Sequence, residues 1–285
     1  MKNNSMLVRT ISGVVLLIIV LAAGLIGNIL LWLFSISAAL VGLYEFYGVC
    51  GVYDRDNKKN NGLTITGYVL TVILFVCLLT GIFQKLLVIA NNTTILIFIV
   101  LMLVISMGIY VFAFPKYTFE TIAYAVFGFI YVSVFMSFVY LTRCLEDGKI
   151  IFWLIFISSW VCDTCAYFVG VTLGKHKLAP VLSPKKSIEG SIGGIAGSVI
   201  VAFLVGYFIE YKMLGGNNNA LIYMIICFFG AIVSQIGDLA ASGIKRNHDI
   251  KDYGNLIPGH GGILDRFDSV IFVAPVIYIL AMCMI

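Results

Sequence analysis

Long apolar segments alternate with short polar ones along the whole chain. The apolar segments are 17 to 24 residues long, about the length that an α-helix needs to cross the hydrocarbon core of a bilayer. A helix also satisfies its own backbone hydrogen bonds in lipid, where water cannot do so. The pattern predicts nine membrane-spanning helices, at residues 11–27, 29–50, 63–82, 94–113, 119–141, 150–173, 191–210, 219–241 and 263–284.

The composition supports this prediction and excludes a soluble domain. Apolar residues make up 61% of the chain and charged residues 11%, with a mean hydropathy of +1.06, whereas soluble chains carry about twice this share of charge. We therefore expect an all-α, polytopic integral membrane protein. The first segment follows Lys2 and Arg9 as a signal peptide would, but it lacks a small-residue cleavage site, so we predict that it is retained. The seven cysteines form no regular framework, and no disulfide is expected.

The basic residues are distributed unevenly between the two sides of the predicted bundle. Fourteen of the 18 fall on the side of the N-terminus, and four fall on the other side. Because lysine and arginine stay cytoplasmic, we predict a cytoplasmic N-terminus and an external C-terminus. The fourteen are Lys2, Arg9, Arg55, Lys58, Lys59, Lys116, Lys175, Lys177, Lys185, Lys186, Lys245, Arg246, Lys251 and Arg266, and the four are Lys85, Arg143, Lys149 and Lys212.

Two predicted cytoplasmic loops, at 174–190 and 242–262, concentrate the polar chemistry. They hold all three histidines and, with Arg266, eight of the 18 basic residues, whereas the first five spans contribute only Glu45 and Glu120. We therefore divide the chain into an N-terminal transmembrane scaffold, 1–145, and a C-terminal catalytic transmembrane region, 146–285.

Three aspartates are the candidate metal ligands. Asp265 and Asp268 are three residues apart at the start of the ninth span, so both carboxylates lie on one helix face. Asp238, at the cytoplasmic end of the eighth span, can approach the same volume. Converging carboxylates repel one another unless cations neutralise them, and oxygen ligands of this kind suit Mg²⁺. The alternative is that each aspartate caps a helix or pairs with a lysine, although aspartate inside a membrane is more often functional.

The sequence Pro258–Gly262 precedes these aspartates and suggests an anion site. Its glycines permit positive φ angles and let backbone N–H groups approach an anion at a helix N-terminus. Lys245, Arg246 and Arg266 can add charge-assisted hydrogen bonds to phosphate. A glycine-rich turn alone is weak evidence; its position directly before Asp265 strengthens the interpretation.

The first loop presents Lys185 and Lys186 beside Ser187 and Glu189. Basic residues alone would fit a loop that only keeps its side of the membrane cytoplasmic or touches anionic lipid. The hydroxyl and the carboxylate add hydrogen-bonding groups that topology does not require. Cationic groups together with converging aspartates indicate phosphoryl or nucleotidyl transfer, and no Walker A motif is present. The residues thus predict a metal-dependent phosphate-transfer enzyme that acts on a lipid.

The stretch 242–268 closely resembles the signature of the phosphatidate cytidylyltransferases, or CDP-diacylglycerol synthases. The segments 160–180 and 183–190, and Gly237-Asp238-Leu239, resemble the same family, while Ala241 and Val171 depart from it. The agreeing signature positions are Ser242, Lys245, Arg246, Lys251, Asp252, Pro258, Gly259, His260, Gly261, Gly262, Asp265, Arg266 and Asp268.

The resemblance implies transfer of a cytidylyl group from CTP to phosphatidate, giving CDP-diacylglycerol and diphosphate. It implies Mg²⁺ and a second, monovalent cation, a homodimer, and a multi-pass protein of the cell membrane among membrane lipids with its active site at the cytoplasmic face; no nucleic acid is expected as a partner. Asp238, Asp265 and Asp268 would hold the metal. The other catalytic residues implied are Ser242, Lys245, Arg246 and Arg266, and the substrate-binding residues are Lys185, Lys186, Ser187, Glu189, Lys251, His260, Gly261 and Gly262.

Two alternatives stay open at this point. A CTP-dependent lipid-alcohol (polyprenol) kinase would also use lysine and aspartate at a membrane face, but it would release CDP instead of diphosphate. An ion-coupled transporter would place its charges near the bilayer centre, usually within repeats or broken helices. The charges of this chain cluster at one face, which argues against the transporter.

Overall fold

The computed structural model describes residues 2–53, 61–82 and 91–285. One helix for each predicted span runs through these residues, and the prediction of an all-α membrane protein is confirmed. Eight of the helices are long and apolar enough to cross a membrane, and the first contains a shorter apolar segment, Thr10–Ile26. The helices are α1 (Lys2–Ile26), α2 (Asn28–Val49), α3 (Gly62–Thr80), α4 (Asn91–Phe112), α5 (Phe119–Arg143), α6 (Gly148–Leu173), α7 (Ile188–Met213), α8 (Ala220–Asn247) and α9 (Leu264–Met284).

Four of the basic residues used to orient the chain, Arg55, Lys58, Lys59 and Lys85, lie outside the described residues. The cytoplasmic N-terminus and external C-terminus stay predictions. All seven cysteines are free thiols.

The helix ends follow local sequence chemistry. The break between α1 and α2 falls at Gly27, whose φ of 68° glycine adopts without strain. Before α3, Asn61 and Thr64 form a capping box, in which the Thr64 N–H donates to Asn61 Oδ1 at 3.0 Å and the Asn61 N–H donates to Thr64 Oγ1 at 2.9 Å. Ser187 caps α7, because its hydroxyl accepts the N–H of Gly190 at 3.1 Å.

Within the part of the chain that the structure describes, three of the membrane-length helices contain a wider, π-helical segment. These segments are Phe129–Val134 in α5, Ile157–Val161 in α6 and Val205–Met213 in α7. Short π-helical segments inside α-helices frequently occur at functional sites. The segment in α6 ends at Val161, two residues before Asp163.

The loop expected between α6 and α7 contains a small antiparallel hairpin. Strand β1 (Lys177–Ala179) pairs with β2 (Ser183–Ser187), with Lys177 opposite Ser187 and Ala179 opposite Ser183. The N–H of Ile188 also donates to the carbonyl of His176 at 2.9 Å. This hairpin gives the lysine pair a defined backbone that the sequence did not predict.

The chain divides into two compact units. The first comprises Met1–Tyr140 and Ile250–Arg266. Tyr47 lies fully buried at its centre and donates its hydroxyl to the carbonyl of Ala125 at 2.9 Å. Gly67 and Gly128 allow this packing, since a Cβ atom at either position would collide with the Tyr47 ring.

The second unit comprises Leu141–Asp249 and Phe267–Ile285. Here α7 packs closely on α6 through a face of small residues. A Cβ atom on Gly194 would lie 2.7 Å from the carbonyl oxygen of Cys162, and one on Gly193 would meet Val169. The division at 145/146 into scaffold and catalytic region concerns function and stays a prediction.

Candidate active site

The hairpin and the start of α7 form one wall of a cavity of about 490 Å³ in the second unit. Lysine and aspartate side chains contribute to its lining, and much of the rest of the lining is apolar. The polar lining residues are Asp163, Lys177, Lys185, Lys186, Ser187, Ser191, Gln235 and Asp238, and the others are Ala166, Tyr167, Gly170, Val171, Leu178 and Gly190. A cavity lined by both charged and apolar groups suits an amphiphilic molecule with an anionic head group.

Within this cavity, Lys186 forms an ion pair with Asp238. Both side chains are about a quarter exposed, at 26% and 27%, so each can also reach a ligand from the cavity. The neighbouring Lys185 is exposed on β2. Two of the predicted substrate-binding lysines, Lys185 and Lys186, therefore line this cavity.

Glu189 has a different neighbourhood. Its carboxylate accepts the backbone N–H groups of Lys175 and His176, at 3.0 and 3.2 Å, and lies 2.6 Å from Nδ1 of His176. These contacts hold the turn between α6 and β1 against the first turn of α7. A contact between Glu189 and substrate stays a prediction.

Asp268 is buried in the first turns of α9. Its Oδ2 lies 4.0 Å from Nζ of Lys245, and its Oδ1 accepts the N–H of Ser269 at 2.8 Å. Asp163 and Asp238 are both close enough to act on the Asp268 carboxylate electrostatically. The second unit thus gathers three carboxylates with two lysines.

The last turns of α8 carry the other predicted catalytic residues of this unit. Ser242 and Lys245 are partly buried, whereas Arg246 is exposed. Lys245 and Arg246 lie in the final turn, where the helix dipole favours positive charge.

The glycine-rich turn before α9 belongs to the first unit. Gly259 and Gly261 adopt φ angles of 76° and 87°, which confirms the expectation of positive φ at this turn. The N–H of Ile257 donates to the carbonyl of Gly261 at 2.8 Å and closes the turn. From α1, Ser12 Oγ donates to the carbonyl of Pro258 at 3.1 Å and lies 2.8 Å from Nδ1 of His260.

Asp265 anchors the same turn. Its buried carboxylate accepts the N–H groups of Tyr253 and Gly262 through Oδ2, at 2.7 and 3.0 Å. Asp265 therefore organises the backbone of the loop in addition to any role that it has toward a ligand.

A second cavity, of about 460 Å³, lies in the first unit and is predominantly polar. Lysine, histidine and arginine side chains together with glycine backbone line it, which suits an anion. Arg266 contributes a buried Nε that has no hydrogen-bond partner among the described residues. Since a buried polar group without a partner is costly, a ligand oxygen would satisfy this donor. The lining residues are Lys251, Asp252, Asn255, Ile257, Gly259, His260, Gly261 and Arg266.

The predicted residues thus fall into two clusters. In the second unit they are Lys185, Lys186, Ser187 and Asp238 at one cavity, with Asp268 beside Lys245; in the first unit they are Lys251, His260, Gly261 and Arg266 at the other cavity, with Asp265 and Gly262 in the loop.

Two carboxylates were not among the predicted site residues. Asp163 lines the cavity of the second unit, and its signal in the sequence was an aspartate inside an apolar segment. Glu45 contacts the loop before α9, and no sequence signal identified its partner, which is 218 residues away.

The donor chemistry of these clusters is that of a hard cation, because carboxylate oxygens are the ligands that Mg²⁺ prefers. In residues 2–53, 61–82 and 91–285, no three His, Cys, Asp or Glu side chains are arranged to hold a metal ion by themselves. Mg²⁺ commonly takes one or two carboxylates and completes its shell with water and substrate phosphates, so Asp238 and Asp268 fit this pattern.

Comparison with known proteins decides the family. The model of the cytidylyltransferase family matches residues 7–284. The chain belongs to this family. It is 33% identical over 278 residues to the phosphatidate cytidylyltransferase of Staphylococcus aureus (strain COL), covering 96% of this chain and 98% of the relative. It is 33% identical over 275 residues to the phosphatidate cytidylyltransferase of Staphylococcus haemolyticus (strain JCSC1435), with the same coverage.

Two positions depart from the expected family pattern, and both carry apolar side chains. Val171 is exposed and lines the apolar part of the cavity in the second unit. Ala241 is fully buried in α8. Neither side chain offers a polar atom to a metal or a phosphate.

Proposed function

We propose that the chain transfers a cytidylyl group from CTP to phosphatidate, giving CDP-diacylglycerol and diphosphate for phospholipid biosynthesis. The observation that carries this proposal is the similarity to phosphatidate cytidylyltransferases over 96% of the chain. The mixed charged and apolar lining of the cavity in the second unit supports a lipid substrate, because phosphatidate combines a phosphate with apolar chains.

In the reaction, a phosphate oxygen of phosphatidate attacks the α-phosphorus of CTP. A new P–O bond forms as the bond to the β-phosphate oxygen breaks, and diphosphate leaves with the bonding electrons. A phosphate monoester is already largely in its dianionic form near pH 7, so the attacking oxygen needs no strong general base. The main tasks of the protein are to orient the two phosphates and to offset their charge.

Each cavity would bind one of the two substrates. In the second unit, Lys185 and Lys186 would bind the phosphate of phosphatidate, and the wall at Tyr167 and Val171 would take its glycerol and acyl portions. In the first unit, His260 and Arg266 would bind the phosphates of CTP together with Lys251 and the backbone at Gly261 and Gly262. Lys245 and Arg246 would offset the charge of the leaving diphosphate, with Ser242 as a further hydrogen-bond donor.

Mg²⁺ is the proposed cofactor. Asp238 and Asp268 are proposed as its ligands because both belong to the second unit. Asp265 is proposed as a third ligand because of its spacing from Asp268 in the sequence. When bound, the metal ion would neutralise charge on the phosphates. A second, monovalent cation and a homodimer are also proposed on the family resemblance. The cell membrane as the location is likewise proposed on the family resemblance, and the cytoplasmic face as the side of the active site agrees with the predicted orientation.

A product assay on purified protein in detergent tests the proposal. Phosphatidate, CTP labelled at the α-phosphate and Mg²⁺ would be incubated with the wild-type protein and with Asp268→Asn. We expect label in CDP-diacylglycerol with the wild type, and its loss in the variant and after addition of EDTA. Asp147→Asn is the matched control and should keep activity, because Asp147 directly precedes α6 and its side chain does not cap that helix.

Other outcomes would contradict the proposal. Label that stays in CDP, with the γ-phosphate moved to an alcohol, would identify a lipid-alcohol kinase. Folded protein that turns over neither substrate would favour the transporter.

A further inference from the structure

Glu45 places a buried carboxylate against the loop that carries the family signature. It lies near the end of α2 and is only 6% exposed. Its Oε1 accepts the N–H of Ile263 at 3.0 Å, and its Oε2 accepts the N–H of Leu264 at 2.8 Å. Because burying a charge is costly unless it is paired or hydrogen-bonded, these two bonds account for a charged side chain inside an apolar helix.

The donors to Glu45 are N–H groups that a helix cannot satisfy by itself. Leu264 is the first residue of α9, and the first N–H groups of any helix have no partner within it. A carboxylate there is also stabilised by the helix dipole. Glu45 therefore caps α9 from a helix more than two hundred residues upstream, and the capped turn contains Asp265 and Arg266.

Two glycines let the loop approach this carboxylate closely. A Cβ atom on Gly254 or on Gly262 would collide with the Glu45 carboxylate. Gly262 is not among the glycines with positive φ, so close approach is the reason that a side chain is excluded there. The N–H of Gly262 meanwhile donates to Asp265, so three successive N–H groups are bound by two carboxylates.

We infer that Glu45 is a positioning residue that holds the signature loop and the first turn of α9, and thereby Asp265 and Arg266, in their active arrangement. This inference rests on the proposed function for its kinetic consequences. Its structural part, the tie between α2 and the loop, stands independently of the reaction. It also gives a role in the reaction to α2, a helix of the predicted N-terminal scaffold.

The test compares Glu45→Gln, which keeps the size of the side chain but replaces one acceptor oxygen with a donor, with Glu45→Asp, which keeps the charge. Glu120→Gln is the matched control, because Glu120 is exposed on α5 and bonds to Tyr124 of its own helix. Each protein would be purified in detergent. Hydrogen exchange of the 253–266 segment would be measured together with kcat and KM for CTP at saturating phosphatidate.

For Glu45→Gln we expect exchange in this segment to become roughly 10- to 100-fold faster, as the loss of charge-assisted hydrogen bonds implies. Since small misplacement of reacting groups is costly, kcat should fall by roughly 10- to 100-fold. Glu45→Asp should recover part of both. Gly254→Ala, which crowds the carboxylate, should also lower kcat.

Unchanged exchange and wild-type kcat in Glu45→Gln would overturn the inference. So would a lower unfolding temperature with unchanged kcat per folded molecule, since that result would mean that Glu45 serves stability alone. If Glu45→Gln does not fold, the same two readouts on Glu45→Asp decide. If the wild type makes no CDP-diacylglycerol, the proposed function fails, and the exchange data still decide whether Glu45 holds the loop.

Discussion

Replacing Lys186 by methionine removes an ammonium group from the lining of the cavity in the second unit and keeps most of the side-chain volume. Lys186 pairs with Asp238, and both side chains are about a quarter exposed. Solvent screens a pair of this kind, so we expect the free energy of unfolding to change by less than about 1 kcal/mol. The loss should appear in catalysis, because the substrate phosphate would lose a cation.

The size of that loss can be estimated from the energy of a contact between a lysine and a phosphate. A unit charge about 4 Å from a phosphate oxygen interacts with it by roughly 4 kcal/mol at an effective dielectric constant near 20, the value typical of partly exposed sites. After desolvation, a hydrogen bond to a charged group contributes about 1.5–3 kcal/mol. The expected decrease of kcat/KM is therefore roughly 10- to 150-fold.

The assay would vary phosphatidate in mixed micelles at saturating CTP, and then CTP at saturating phosphatidate. We expect kcat/KM for phosphatidate to fall in Lys186→Met and to be partly retained in Lys186→Arg, which keeps the charge. Lys149→Met removes a lysine that is exposed in the first turn of α6, and it should behave as wild type. A kcat/KM for phosphatidate within about twofold of wild type in Lys186→Met would refute the reasoning, since a phosphate contact is expected to contribute more than 1 kcal/mol.

Two further predictions concern packing and the loop. Gly194→Ala should reduce the free energy of unfolding by about 1–3 kcal/mol through overpacking, because its Cβ would lie 2.7 Å from the Cys162 carbonyl oxygen. The midpoint of thermal unfolding in detergent should fall accordingly. Gly108→Ala, where a Cβ meets nothing within 4 Å, should not lower this midpoint. Ser12→Ala should lower kcat/KM for CTP by roughly two- to tenfold, because it removes the hydrogen bonds to Pro258 and His260. An equal midpoint for the two glycine variants, or wild-type kinetics in Ser12→Ala, would contradict these predictions.

The nine helices of the described residues could be predicted because lipid leaves the backbone little choice. Each apolar segment long enough to cross the bilayer must satisfy its hydrogen bonds internally, so length and hydropathy indicate the element. For example, the span predicted at 29–50 is the helix Asn28–Val49. The same argument indicates nothing about which side chains meet between segments.

The hairpin at Lys177–Ser187 escaped prediction because its strands are short and polar. A segment such as Ser-Pro-Lys-Lys-Ser has no alternation of apolar and polar residues, and Pro184 argues against a central strand. Its structure depends on contacts with neighbours such as Glu189, which binds the turn before β1. The π-helical segments had no sequence signal that we recognised.

Glu45 shows the limit of the sequence argument most clearly. A lone glutamate in an apolar helix was visible, but its partners are the backbone N–H groups of Ile263 and Leu264, which carry no side-chain signal. Chemistry that depends on residue type, such as that of Asp238 or Lys186, could be read from the chain. Chemistry that depends on where the backbone goes could not.

The π-helical segment Ile157–Val161 fixes the rotational phase of the second half of α6. Each residue added to or removed from a helix turns everything beyond it by about 100° around the axis. Removing one residue to restore a regular α-helix would improve the local hydrogen bonding and swing the face that carries Asp163 away from the cavity. The wide turn therefore acts as an angular offset: it lets one continuous helix present its first half to the core and its second half, with Asp163, to the cavity of the second unit.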